Sequence, residues 1–167
     1  MKIVPQAQTG SESNSDEWWM EEARRCAQRA LENGEVPVGA VVVHAGQIIA
    51  RGWNRNISGF DPTAHAEMMA LREAGAALRN HRLEDCELFV TIEPCAMCAG
   101  AMVHARIRRL VYGADDSKAG AVKSVMQVLN HPALNHRMEI TAGVLAEECS
   151  AILQGFFRDR RAAKEAQ

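Results

Sequence analysis

Two cysteines three positions apart, Cys95 and Cys98, follow a proline in the stretch Glu93-Pro94-Cys95-Ala96-Met97-Cys98. On the first turn of a helix that spacing puts both side chains on one face, so both sulfurs can reach one metal ion. Free N–H groups and the positive end of the helix dipole favour thiolate there. Alone, the pair also suits a thiol redox site or half of a structural zinc site. About thirty residues upstream stands Thr63-Ala64-His65-Ala66-Glu67. In mid-helix, positions i and i+2 point about 200° apart and cannot share a small site. At a helix start both can be aimed beyond the tip. His65, Cys95 and Cys98 then supply three ligands. Structural zinc sites close with four, whereas catalytic ones leave the fourth position to water. Glu67 is a rival for that fourth place, but a water beside a metal needs a proton acceptor, and Glu67 is assigned as that base.

The elements that must position these groups follow from apolar periodicity. Residues 18–33 show helical spacing, with Asp16 as a capping residue and Gly34 as the stop. Residues 36–43 and 47–53 read as a hairpin turning at Gly46, followed by a polar loop over 54–63. A second helix is expected over 64–79, entered through Asp61, Pro62 and Thr63. A strand over 86–94 runs directly into Cys95 and a short helix to about 105. A strand over 109–113, a loop over 114–124, a short helix near 124–129, a strand over 139–144 and a closing helix over 146–164 complete the chain. Strands and helices interleave after one hairpin, which predicts an α/β layered domain with a mixed sheet.

At 167 residues, 47% hydrophobic and 24% charged, the composition is that of one globular domain. No apolar run is long enough to span a membrane, and no basic-then-apolar leader opens the sequence. Five cysteines make no disulfide scaffold. Cys26, Cys86 and Cys149 lie among apolar residues and are expected as buried small hydrophobes in a reducing cytoplasm. Residues 1–15 are polar and aperiodic, the pattern of a disordered extension, with the domain occupying 16–164. Net charge is −2, which advertises no nucleic-acid partner. Basic groups do cluster at Arg106, Arg108 and Arg109, and at Arg158, Arg160, Arg161 and Lys164.

His65-Ala66-Glu67 followed by Pro94-Cys95-Ala96-Met97-Cys98 resembles the signature of the zinc-dependent cytidine deaminase superfamily, whose chemistry is known independently of this spacing. The stretches EVPVGAVVV, GWNR, DPTAHAEMMALR, VTIEPCAMCAGAMVHARI and NHRMEITAGVL look closely like the bacterial tRNA-specific adenosine deaminases, over roughly residues 17–160. That resemblance implies a cytidine-deaminase-like fold of five strands flanked by helices, a cytoplasmic homodimer, and one zinc per subunit. It also implies the reaction: the wobble adenosine of a tRNA anticodon stem-loop hydrolysed to inosine by a zinc-activated water, with Glu67 as proton shuttle. On the matching positions it implies that Asn54 hydrogen-bonds the target nucleoside and that Asp116 lies near an RNA sugar. Phe156, Phe157, Arg158 and Arg160 lie on the last helix, which the family places by the anticodon loop; helical spacing suits the two phenylalanines equally to the core. Two other readings stand beside this one. The same site could deaminate a free base or nucleotide of guanine or cytosine type, or the chain could be a non-catalytic zinc module that binds RNA.

Overall fold

The computed structural model describes residues 14–167. The order of elements is α1 (Asp16–Glu32), β1 (Gly39–His44), β2 (Gln47–Trp53), α2 (Ala66–Leu78), β3 (Cys86–Ile92), α3 (Ala96–Ala105), β4 (Arg109–Ala114), β5 (Glu139–Ala142) and α4 (Ala146–Glu165). The strands form one sheet in the order β2-β1-β3-β4-β5. β1 pairs antiparallel with β2 and β3, whereas β3-β4 and β4-β5 are parallel, so the sheet is mixed as expected.

Both faces of the sheet are covered, which is why its central strands read as unbroken apolar runs. The period of two sorts them nonetheless. Ala40, Val42, Leu88, Val90, Leu110 and Tyr112 pack with α2 and α3. Val41, Val43, Phe89 and Val111 pack on the other side with Trp19, Met20, Ala23 and Cys26 of α1 and Cys149 of α4. Cys26, Cys86 and Cys149 are buried free thiols, as composition suggested. Arg109 ties the start of α1 to the sheet: its guanidinium donates to Asp16 at 2.6 and 2.9 Å, to Glu87 at 3.0 Å and to Thr141 at 2.9 Å.

Several boundaries differ from the sequence reading, each for a local reason. Ser15, rather than Asp16, caps α1, its side chain accepting from the Trp18 N–H at 3.2 Å. Of the expected disordered extension, residues 1–13 lie outside the described residues. The β1 ladder begins at Gly39 because the Val38 N–H turns back to the Val36 carbonyl at 2.8 Å around Pro37. The helix expected near 124–129 is a single tight turn at Val128–Asn130. Just before it, the N–H groups of Val125 and Met126 both go to the Gly120 carbonyl, which leaves no helical ladder to propagate. Among the described residues no helix is long and apolar enough to cross a membrane.

Candidate active site

The site forms where the N-terminal ends of α2 and α3 meet. His65 is the N-cap residue of α2 and Cys95 that of α3, both in extended backbone with no capping bond from their own side chains. That frees the imidazole and the thiol to point off the helix tips, and places Glu67 and Cys98 inside the first turns. α2 reaches this position because it lies against Gly52 of β2, where an added Cβ would collide with the Ala66 carbonyl and stand 2.6 Å from the Ala70 nitrogen. The first turn of α2 is capped from a distance: Asn54, just beyond β2, accepts the Ala66 N–H on Oδ1 at 2.8 Å. Asp61 accepts from the Thr63 N–H and hydroxyl at 2.8 and 2.7 Å, a local turn that leads into the helix, which begins two residues later than sequence suggested.

His65 Nδ1 lies 3.5 Å from Cys95 Sγ and 3.6 Å from Cys98 Sγ. The three ligand atoms all fall within 4.8 Å of one another. A tetrahedral zinc with bonds of about 2.3 Å to sulfur and about 2.0 Å to nitrogen requires N···S edges of roughly 3.5 Å. Donor types and edges therefore both fit a zinc ion. In the protein alone, hydrogen bonding with Cys98 lowers the Cys95 thiol, while the same contact and burial raise that of Cys98. The hydrogen bond with Cys95 raises the His65 imidazole.

Glu67 is 3% exposed, and burial pushes its carboxyl up to about 7. A carboxyl held beside the three donor side chains is placed to take a proton and return it, the property a single acid–base residue needs. Glu67, His65 and Cys95 open onto a cleft of about 720 Å³, whose wall also includes Asn54 and Asp116. The Asp116 Oδ1 accepts from the N–H groups of Lys118 and Ala119 at 2.9 and 3.1 Å, which fixes its loop. The lining is acidic, with Glu35, Glu67, Glu93, Asp115 and Asp116 against Lys118 and Arg161. Such a wall suits a dication and a neutral ring.

The last helix divides the residues singled out on it. Phe157, 44% exposed, lines the cleft. Phe156 and Arg160 are not among the lining residues; the Arg160 guanidinium sits 5.2 Å from the Phe156 ring centre. Ser150, Leu153, Gln154, Phe157 and Arg161 make the cleft face instead, at helical spacing that was readable in the sequence. Sequence reasoning also missed two buried acids. Glu35, 1% exposed, accepts from the Ile57 N–H at 3.0 Å and the Ser58 N–H at 2.7 Å. Glu93, also 1% exposed, accepts from the Ser124 hydroxyl at 2.8 Å beside Gly120, where a Cβ would overlap its carboxylate.

Fold and site define a deaminase, and the MafB19-like deaminase family model matches residues 14–161. The chain is 50% identical over 154 residues to the tRNA-specific adenosine deaminase of Haemophilus influenzae, covering 92% of this chain and 89% of that one. It is 47% identical over 151 residues to the Bacillus subtilis enzyme of the same name, covering 90% and 94%. The chain belongs to the tRNA-specific adenosine deaminase family. A solved structure from work on A-to-I editing by tRNA:A34 deaminases at the wobble position superposes with a TM-score of 0.79 at 46% identity, covering 81% of this chain and 99% of that one. The guanine deaminase of Nitrosomonas europaea gives 0.73 at 27% identity, covering 85% and 84%.

Proposed function

We propose that this chain hydrolyses the wobble adenosine of a tRNA anticodon to inosine, releasing ammonia. The observation that carries the reading is Glu67, a buried carboxyl two residues from His65 that opens onto the same cleft as His65 and Cys95. A module that only bound RNA through zinc has no use for such a group.

His65, Cys95 and Cys98 are proposed to hold one zinc ion, on the strength of their donor types and spacing. Zinc bound there supplies Lewis acidity that makes water nucleophilic at neutral pH. Glu67 takes a proton from the attacking water and hands it to adenine N1, which makes C6 electrophilic. It then takes the remaining proton from the oxygen added at C6 and delivers it to the departing amino nitrogen, which leaves as ammonia, so one carboxyl serves as base and acid in turn. Asn54, its Oδ1 engaged by Ala66, keeps Nδ2 to donate to the nucleoside. Asp116 has carboxylate oxygen to spare for a ribose 2′-OH, an interaction DNA cannot make. Phe157 is proposed to meet the anticodon loop, with Phe156 and Arg160 contributing from the same helix outside the cleft. The family likeness further leads us to propose a cytoplasmic homodimer, with residues 16–164 as a single catalytic domain in each subunit.

The test is nucleoside analysis of an anticodon stem-loop, with free guanine and cytidine as parallel substrates. Inosine in the stem-loop supports the reading. Ammonia from guanine with an untouched stem-loop overturns it in favour of a base deaminase, and metal with no turnover of any substrate favours the binding module.

A further inference from the structure

The loop between β2 and α2 carries features that the deamination chemistry does not use. Phe60 is 93% exposed and has its backbone at φ +49°, a left-handed conformation unfavourable to a bulky residue. Ile57, 49% exposed, stands three residues earlier and lines the cleft. An isolated exposed hydrophobe is ordinary, but this one is held. The Gly59 N–H goes to the Arg55 carbonyl at 2.9 Å, the Phe60 N–H to the Ile57 carbonyl at 3.3 Å, and the Asp61 N–H to the Asn56 carbonyl at 3.1 Å. From below, the Glu35 carboxylate grips the N–H groups of Ile57 and Ser58. Cations flank the loop: Arg55 lies 4.5 Å above the Trp53 ring, and Arg72 reaches Thr63 at 3.5 Å.

We propose that Phe60, beside the cleft-lining Ile57, forms with it a stacking platform for a nucleobase next to the target adenosine. The inference rests on the tRNA reading given above. Once the target base enters the cleft, its neighbours in a single-stranded loop are unstacked and expose their π-faces, which a fixed aromatic ring can cover without reading sequence. The cleft lining is acidic, whereas Arg55, on the loop itself, and Arg72, 4.0 Å from Asp61 of the same loop, lie outside that lining and offer phosphates a place there.

The test uses a stem-loop with 2-aminopurine beside the target adenosine, bound to metal-loaded Glu67→Gln protein so that no turnover occurs. Phe60→Gly removes the ring and relieves the left-handed backbone, so lost binding cannot be laid on misfolding. The platform predicts fluorescence quenching on binding, weaker quenching and about tenfold weaker affinity with Phe60→Gly, and recovery of both with Phe60→Trp. In active enzyme KM rises by a similar factor while kcat stays within about twofold. Unchanged quenching and KM, or a fall in kcat at constant KM, overturns the platform while leaving the tRNA reading intact. A Phe60→Gly protein of lower mass in solution overturns it in favour of a contact between copies. A stem-loop untouched by the unmutated enzyme overturns the tRNA reading itself.

Discussion

Asn54 and Ala66 are joined by a 2.8 Å hydrogen bond that closes the first turn of α2, from a side chain that also faces the cleft. The two ends of one amide therefore have separate duties: Oδ1 holds the helix that carries His65 and Glu67, and Nδ2 has no protein partner among the described residues. Asn54→Ala leaves a buried N–H unpaired and is expected to cost about 1–2 kcal/mol of stability. Asn54→Asp keeps the acceptor but puts a second oxygen where the donor was. Its melting temperature should stay close to that of the unmutated protein while kcat/KM on a stem-loop falls by about 10²-fold or more. Equal loss of stability in both variants would show that the cap does not depend on Oδ1.

The ligand trio and Glu67 should separate in metal analysis. His65→Ala, Cys95→Ser and Cys98→Ser are expected to lose stoichiometric zinc after gel filtration, because two donors cannot fill a tetrahedral site tightly. Glu67→Gln should retain zinc and fold, yet lose about 10³-fold or more in kcat, since both proposed proton transfers run through its carboxyl. Full metal content in all three ligand variants, by elemental analysis, would break the assignment.

The cluster of His65, Cys95 and Cys98 was legible because two short motifs each sit at a helix start, where a few residues of local sequence fix the geometry. The layered sheet was legible from apolar runs bounded by Gly and turn residues. What stayed hidden depends on long-range contacts. Glu35 reads as a solvated acid in Asn33-Gly34-Glu35, and only folding brings it to backbone groups 22 and 23 residues away. The start of α2 depends on Asn54, twelve residues upstream. On α4, Phe156 and Phe157 differ by one residue step, which is about 100° around the helix. Periodicity alone did not say which of them meets the cleft.

Glu35 gives the fold a pH dependence with a definite sign. Although burial opposes ionisation, the N–H donors of Ser58 and Ile57 win, and the carboxyl is held below its ordinary value of 4.5. A depressed carboxyl stabilises the fold fully above the unfolded value. That contribution fades as pH falls through about 4.5 toward the lower folded value. Melting temperature should therefore drop between pH 5 and pH 3 with a component that Glu35→Gln removes, the variant being less stable at pH 7 and closer to the parent at pH 3. A Glu35→Gln curve parallel to the parent's across that range would show that the carboxylate does not hold the loop.

Gly52 is where sheet and site are most tightly coupled. A Cβ there would meet the Ala66 carbonyl and lie 2.6 Å from the Ala70 nitrogen and 3.0 Å from the Ala70 Cβ. Backbone cannot rotate away as a side-chain tip can, so Gly52→Ala must push the start of α2 off the sheet. Overpacking of this kind costs about 1–3 kcal/mol. It also displaces His65 from Cys95 and Cys98, whose separations of 3.5 and 3.6 Å leave little slack for a tetrahedral metal. Gly52→Ala is thus expected to weaken zinc retention against a chelator as well as lower the melting temperature. Gly100→Ala, on α3 with open space around its Cβ position, should do neither. If Gly52→Ala melts early but holds zinc as firmly as the parent, the start of α2 is not what aims His65.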